Sequence, residues 1–143
     1  MVEKRNREVQ EITAYDFTFG VLRAAANKRR LSILFNGRDP KFHGAMADAY
    51  LKLREIESIS EIRPDFTIRP HPIYGDSENL NVSIMELCTD GIIDRIRGRH
   101  FRFAYQDETT GNINGIRLRG PQFLYDDLGS TFIDSYYKNI EDN

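Results

Sequence analysis

The hydrophobic period of the chain changes at Gly91, and that switch constrains the fold more than any other feature of its 143 residues. Before it, Leu80, Ile84, Leu87 and Cys88 recur at three- and four-residue spacing, the mark of one buried helix face. Gly91 stands where a left-handed C-terminal cap belongs. After it, Ile92-Ile93-Asp94-Arg95-Ile96 and His100-Phe101-Arg102-Phe103-Ala104-Tyr105 read as strands joined by a turn at Arg97-Gly98. A third run, Ile113-Asn114-Gly115-Ile116-Arg117-Leu118-Arg119, predicts a return strand pairing with residues 100–105, with the turn formers Asp107 to Asn112 at the ribbon tip. Helix followed by antiparallel ribbon defines an α+β class.

The flanking text supplies further helices. Asp16 predicts an N-cap for a helix that aligns Phe17, Val21, Leu22 and Ala25. Leu31 to Phe35 reads either as another helical turn or as a short strand, stopped by Asn36-Gly37. Met46, Ala49, Tyr50, Leu53 and Ile56 give the clearest amphipathic helix, over His43 to Glu57. Pro64, Pro70 and Pro72 keep the next stretch out of helix and predict a loop with one short edge strand. At the end, Phe123, Leu124 and Leu128 predict a helix that breaks at Gly129 and restarts with Phe132, Ile133, Tyr136, Tyr137 and Ile140 on one face. The expected organisation is a polar tail over residues 1–12 and one domain over 13–143, a size that can bury a core without staples.

Helices, a glycine-capped helix, an aliphatic strand and a ribbon together resemble a winged-helix domain. The resemblance covers roughly Glu78 to Leu128 and implies a winged-helix-like core of helices plus a two- to three-stranded antiparallel ribbon, with a C-terminal helix. The Glu78–Asp90 helix then holds the recognition position and the ribbon is the wing. His71-Pro72, Ser77-Glu78-Asn79-Leu80, Gly91-Ile92-Ile93, Gly115-Ile116, and Phe123-Leu124 with Leu128 and Tyr136 are also similar to the middle components of bacterial three-component systems built around an ABC-type ATPase. That resemblance implies an adaptor or accessory subunit of a larger assembly, with an ABC-type ATPase as partner. The basic helix positions associated with that family are absent between Leu80 and Asp90.

Charge supports the same direction. The net charge of -2 is a cancellation. Arg23, Lys28, Arg29, Arg30, Arg38 and Lys41 face only Asp39 in their segment, and Arg95, Arg97, Arg99, Arg102, Arg117 and Arg119 outnumber Asp94, Asp107 and Glu108. The last 23 residues are acidic. Of the 20 basic residues 15 are arginine, whose planar fork matches phosphate or carboxylate with two parallel hydrogen bonds. With Phe101 and Phe103 inward, strand parity puts His100, Arg102, Arg117 and Arg119 on one outward face. The residues expected to meet nucleic acid or an acidic partner are therefore Arg95, Arg97, Arg99, His100, Arg102, Arg117 and Arg119. Lys28, Arg29 and Arg30 form a secondary basic patch, and Phe132, Tyr136 and Tyr137 are expected to supply a protein interface, with a homodimer as one form of it.

The recognition position itself opposes DNA reading, because Glu78, Asn79, Asn81, Ser83, Glu86 and Asp90 include no lysine or arginine and carboxylates repel phosphates. An adaptor therefore outranks a DNA-binding transcriptional regulator. Enzyme motifs are missing: no G-x-G-x-x-G, P-loop, H-E-x-x-H or G-x-S-x-G occurs. His43, His71 and His100 lack metal-ligand spacing, Cys88 lies on the apolar helix face, and no cofactor or metal is expected. One cysteine, a charged start and no long apolar run predict a cytoplasmic chain without membrane contact.

Overall fold

The computed structural model describes residues 10–57, 62–68, 75, 77–105 and 122–141. In chain order the elements are β1 (Gln10–Ile12), α1 (Ala14–Arg29), β2 (Ile33–Asn36), α2 (Pro40–Glu57), β3 (Ile62–Pro64), α3 (Glu78–Thr89), β4 (Ile93–Arg97), β5 (His100–Phe103) and α4 (Gln122–Glu141). The α+β class is observed, with a parallel pair β1-β3 and an antiparallel sheet in the order β2-β5-β4.

The first helix begins earlier than expected because Thr13, not Asp16, is its cap. The Thr13 side chain accepts from the Asp16 backbone and the Asp16 carboxylate returns to the Thr13 backbone, a capping box that satisfies two otherwise orphaned donors. Gln10–Ile12, expected to belong to a polar tail, instead form β1 against β3, and Ile12 is buried. The short edge strand expected near Pro64 is β3, and the ambiguous run after Leu31 resolves into β2.

Cross-strand register explains the sheet. Ile33, Phe103 and Ile93 form one buried row, and Phe35, Phe101 and Arg95 form the next on the same face. Leu34, Arg102 and Asp94 share the opposite, exposed face. Both edges of β5 are thus taken, by β2 and β4. Residues 106–121, with the expected return strand and tip, lie outside the described residues.

Aromatic rings carry the core from the sheet to the last helix. Phe101 stacks on Phe35 at 5.6 Å, Phe35 on Phe42 at 4.2 Å, and Phe42 meets Phe132 and Tyr136 edge-on. Such pairs each contribute about 0.5–1.5 kcal/mol beyond their burial. Helix α4 runs unbroken through Gly129, where a helix break was expected. A Cβ at that position would lie 2.7 Å from the Ala24 Cβ, so the glycine serves close approach of α4 to α1. The hydroxyl of Tyr136 donates to the Leu34 carbonyl, so α4 also satisfies a backbone group of strand β2 at the sheet edge. None of the described helices is long and apolar enough to cross a membrane.

Candidate anion-binding cleft

Three segments meet at one end of the sheet: the turn between β2 and α2, the β4–β5 hairpin, and the exposed side of α3. The turn is pinned from several directions. Asn36 Oδ1 accepts from the Arg38 backbone at 2.9 Å, and the Gly37 N–H donates to the Arg99 carbonyl at 2.8 Å. A Cβ on Gly37 would stand 2.7 Å from the Phe101 ring, so the close contact between turn and hairpin requires glycine.

His43 locks this turn to α3. Its ring is fully buried; Nδ1 accepts from the Ser77 N–H at 2.9 Å, which leaves Nε2 to donate to the Gly37 carbonyl at 2.7 Å. Ser77 occupies the N-cap position of α3 and Gly37 lies in the turn. One neutral imidazole therefore fixes the spacing of two walls. His100 is exposed, and His71 lies outside the described residues.

Between those walls lies a cleft of about 220 Å³. Ile84, Met85 and Phe101 give it an apolar lining, and Arg38, Arg95, Arg99 and Asn81 supply its polar groups. Nε of Arg95 donates to the Gly98 carbonyl at 2.6 Å, which anchors the side chain and leaves its terminal nitrogens to other partners. Gly98, at φ +54, permits the tight hairpin. Among the described residues no carboxylate pairs with the guanidinium of Arg38, Arg97 or Arg99.

The expected arginine row is therefore divided. Arg95 and Arg99 line the cleft; Arg97 pairs across the ladder with His100, beyond an irregularity after Arg95. Arg102 is on the outward face as expected, but its charge is used by Asp94 at 2.9 Å, both side chains being about half exposed. Arg117 and Arg119 lie outside the described residues. Arg38 was missed as a site residue, although the Asn36-Gly37 turn beside it was a usable signal.

The other expected sites are placed elsewhere. In the secondary patch, Lys28 donates to Ser130, Arg29 lies 3.5 Å from the centre of the Tyr137 ring, and Arg30 ends α1 in left-handed geometry at φ 56. In the expected protein interface Phe132 and Tyr136 are buried in the core, and Tyr137 is half-buried beneath Arg29. These rings close the domain because α4 packs between α1 and α2, so they offer no open aromatic face.

Burial pushes the Cys88 thiol above its ordinary range, with the positive charge of Arg95 opposing, so the group stays protonated at neutral pH. Burial and a 2.6 Å hydrogen bond to Asp90 raise the Tyr15 phenol, tying the start of α1 to the end of α3. Among the described residues no group of three His, Cys, Asp or Glu side chains is placed to hold a metal ion. Comparison with known proteins gives no match: no family model fits the chain, and no curated protein or solved structure is similar to it.

Proposed function

We propose that this protein is a winged-helix-like adaptor that docks the arginine-bearing end of its sheet onto an acidic surface of a larger protein subunit. The carrying observation is the separation of charge on adjoining surfaces. Arg38, Arg97 and Arg99 have no carboxylate partner among the described residues, whereas the exposed part of α3 and its C-cap carry Glu78, Glu86 and Asp90 without a lysine or arginine.

The winged-helix reading draws support from the succession α1, β2, α2, α3, β4, β5 and from the strand order β2-β5-β4, which sets the early strand beside the second hairpin strand. Two features depart from the usual form. A long segment containing β3 separates α2 from α3, and the β4–β5 hairpin closes at Arg97–Arg99 without a long tip. The partner implied by the resemblance to middle components is an ABC-type ATPase or another subunit of such a cytoplasmic assembly.

Duplex DNA fits this surface poorly. A rigid duplex following the arginines brings its phosphates against the carboxylates of α3, while a flexible acidic segment avoids them. Fluorescence anisotropy with labelled polyglutamate and a labelled short duplex separates these partners. Polyglutamate should bind with an affinity that weakens as salt rises, and the duplex should bind more weakly than about 10⁻⁴ M at physiological salt. Micromolar duplex binding with a steep salt slope contradicts it and favours the transcriptional regulator.

A further inference from the structure

We infer that the cleft between the hairpin and α3 receives one large apolar side chain from an acidic segment of the partner protein. The inference rests on the docking reading above and names what that site selects. Charge alone would be served by a flat basic surface. Here the arginines surround a recess whose lining is apolar: Ile84 and Phe101 are buried, and Met85 is about half exposed.

Size narrows the occupant. At about 220 Å³ the recess is smaller than the roughly 300–1,000 Å³ of ordinary small-molecule sites, and it has room for one large apolar side chain. A nucleotide needs room for base, sugar and phosphates together. A free phosphate would engage the arginines and leave Ile84, Met85 and Phe101 uncovered. An apolar side chain with carboxylates on either side uses both parts: the side chain covers the lining, and the carboxylates meet Arg38, Arg95 and Arg99.

Rigidity favours the same occupant. The Gly37 turn is held by Asn36, Arg99 and His43, and the Arg95 side chain is held by Gly98. Groups fixed before binding lose little freedom when a ligand arrives. The recess therefore acts as a preformed socket, and the surrounding guanidiniums select its acidic context.

The test uses the full chain and a fluorescein-labelled peptide, Asp-Asp-Glu-Leu-Glu-Asp-Asp, read by anisotropy at moderate salt. Three comparison peptides carry Ala for Leu, or Asn and Gln for the acids, or both changes. The expected result is about tenfold weaker binding for the Ala peptide, from the lost apolar contact, and a loss at least as large for the amide peptide. Met85→Ser, at an exposed position, removes apolar lining without adding charge; it is expected to weaken the Leu peptide several-fold and to leave the Ala peptide within about twofold, with an unchanged melting curve.

Equal binding of the Leu and Ala peptides overturns the socket while leaving electrostatic docking intact. Equal binding of acidic and amide peptides overturns the docking reading itself. Tighter binding of adenosine monophosphate than of the Leu peptide, competing at the same site, overturns the ligand class.

Discussion

Two basic regions of this chain look alike in sequence and meet opposite fates in the fold. At the end of α1, Lys28 donates to Ser130 and Arg29 covers the Tyr137 ring, so those side chains are spent joining α1 to α4. At the sheet end, Arg38, Arg97 and Arg99 find no carboxylate among the described residues, and Arg95 donates through Nε to the Gly98 carbonyl. The difference lies in what packs alongside. Helix α4 offers a hydroxyl and an aromatic ring within reach of the first region, while the turn and hairpin offer the second only backbone. Docking is proposed for the run of positive charge that the described neighbouring elements leave without a carboxylate.

The largest effect on the sheet-end region is expected at His43. His43→Leu removes the acceptor for Ser77 N–H and the donor for the Gly37 carbonyl in a buried setting, at a cost of about 3 kcal/mol in chemical denaturation. It also loosens the socket, so acidic-peptide affinity should fall together with stability. An unchanged midpoint with unchanged binding would show that the two walls are held by something else.

Alkaline pH probes the other region. Burial pushes the Tyr136 phenol up to about 12 and raises Tyr137 as well, where Arg29 opposes the shift. The folded state therefore holds protons that the unfolded state releases from about pH 10 upward. This stabilising contribution is complete below about pH 10 and is lost as pH rises toward about 12. Arginines keep their charge throughout. Denaturation midpoints should be level near pH 9 and decline above pH 10; a flat profile to pH 12 would contradict burial of these rings under α1 and the sheet edge.

A smaller effect sharpens the contrast directly. Arg29→Ala removes the cation from the Tyr137 face and should cost about 0.5–1 kcal/mol in thermal or chemical unfolding. Arg99→Ala should change stability by less than about 0.5 kcal/mol, because its exposed side chain has no described partner. Equal destabilisation by the two would erase the distinction between a spent patch and a free one.

Much of this fold was legible from short-range pattern. The helical period through Leu80, Ile84 and Leu87, the glycine after it and the alternation of Phe101 and Phe103 all report local geometry, and the structure contains α3, β4 and β5 there. Pairing was less legible. Strand β2 has only four residues and its partner β5 lies far along the chain, so neither periodicity nor a turn signal marks the ladder. Gly129 reads as a breaker because sequence shows its missing side chain and not Ala24, the neighbour that requires it.

The site followed the same division. Arginines of the hairpin were visible as a group, and parity correctly separated Phe101 and Phe103 from His100 and Arg102. Arg95 moved to the opposite face from Arg102, beside Phe101, and Arg38 joined from a distant turn. Asp94 cancelled Arg102 across the ladder, a pairing that depends on register. A cleft built from three segments is a property of packing, and His43, which spaces two of them, carries no motif.

Reversing charge in each basic region, with one ligand measured against both, separates the hairpin end from the end of α1. Arg97→Glu with Arg99→Glu is compared with Lys28→Glu with Arg30→Glu, using anisotropy of the labelled peptide Asp-Asp-Glu-Leu-Glu-Asp-Asp. Affinity should fall more than about tenfold for the hairpin pair and less than about twofold for the α1 pair, with both variants folded by circular dichroism. Equal losses, or a larger loss from the α1 pair, would contradict the assignment of the hairpin end as the docking surface.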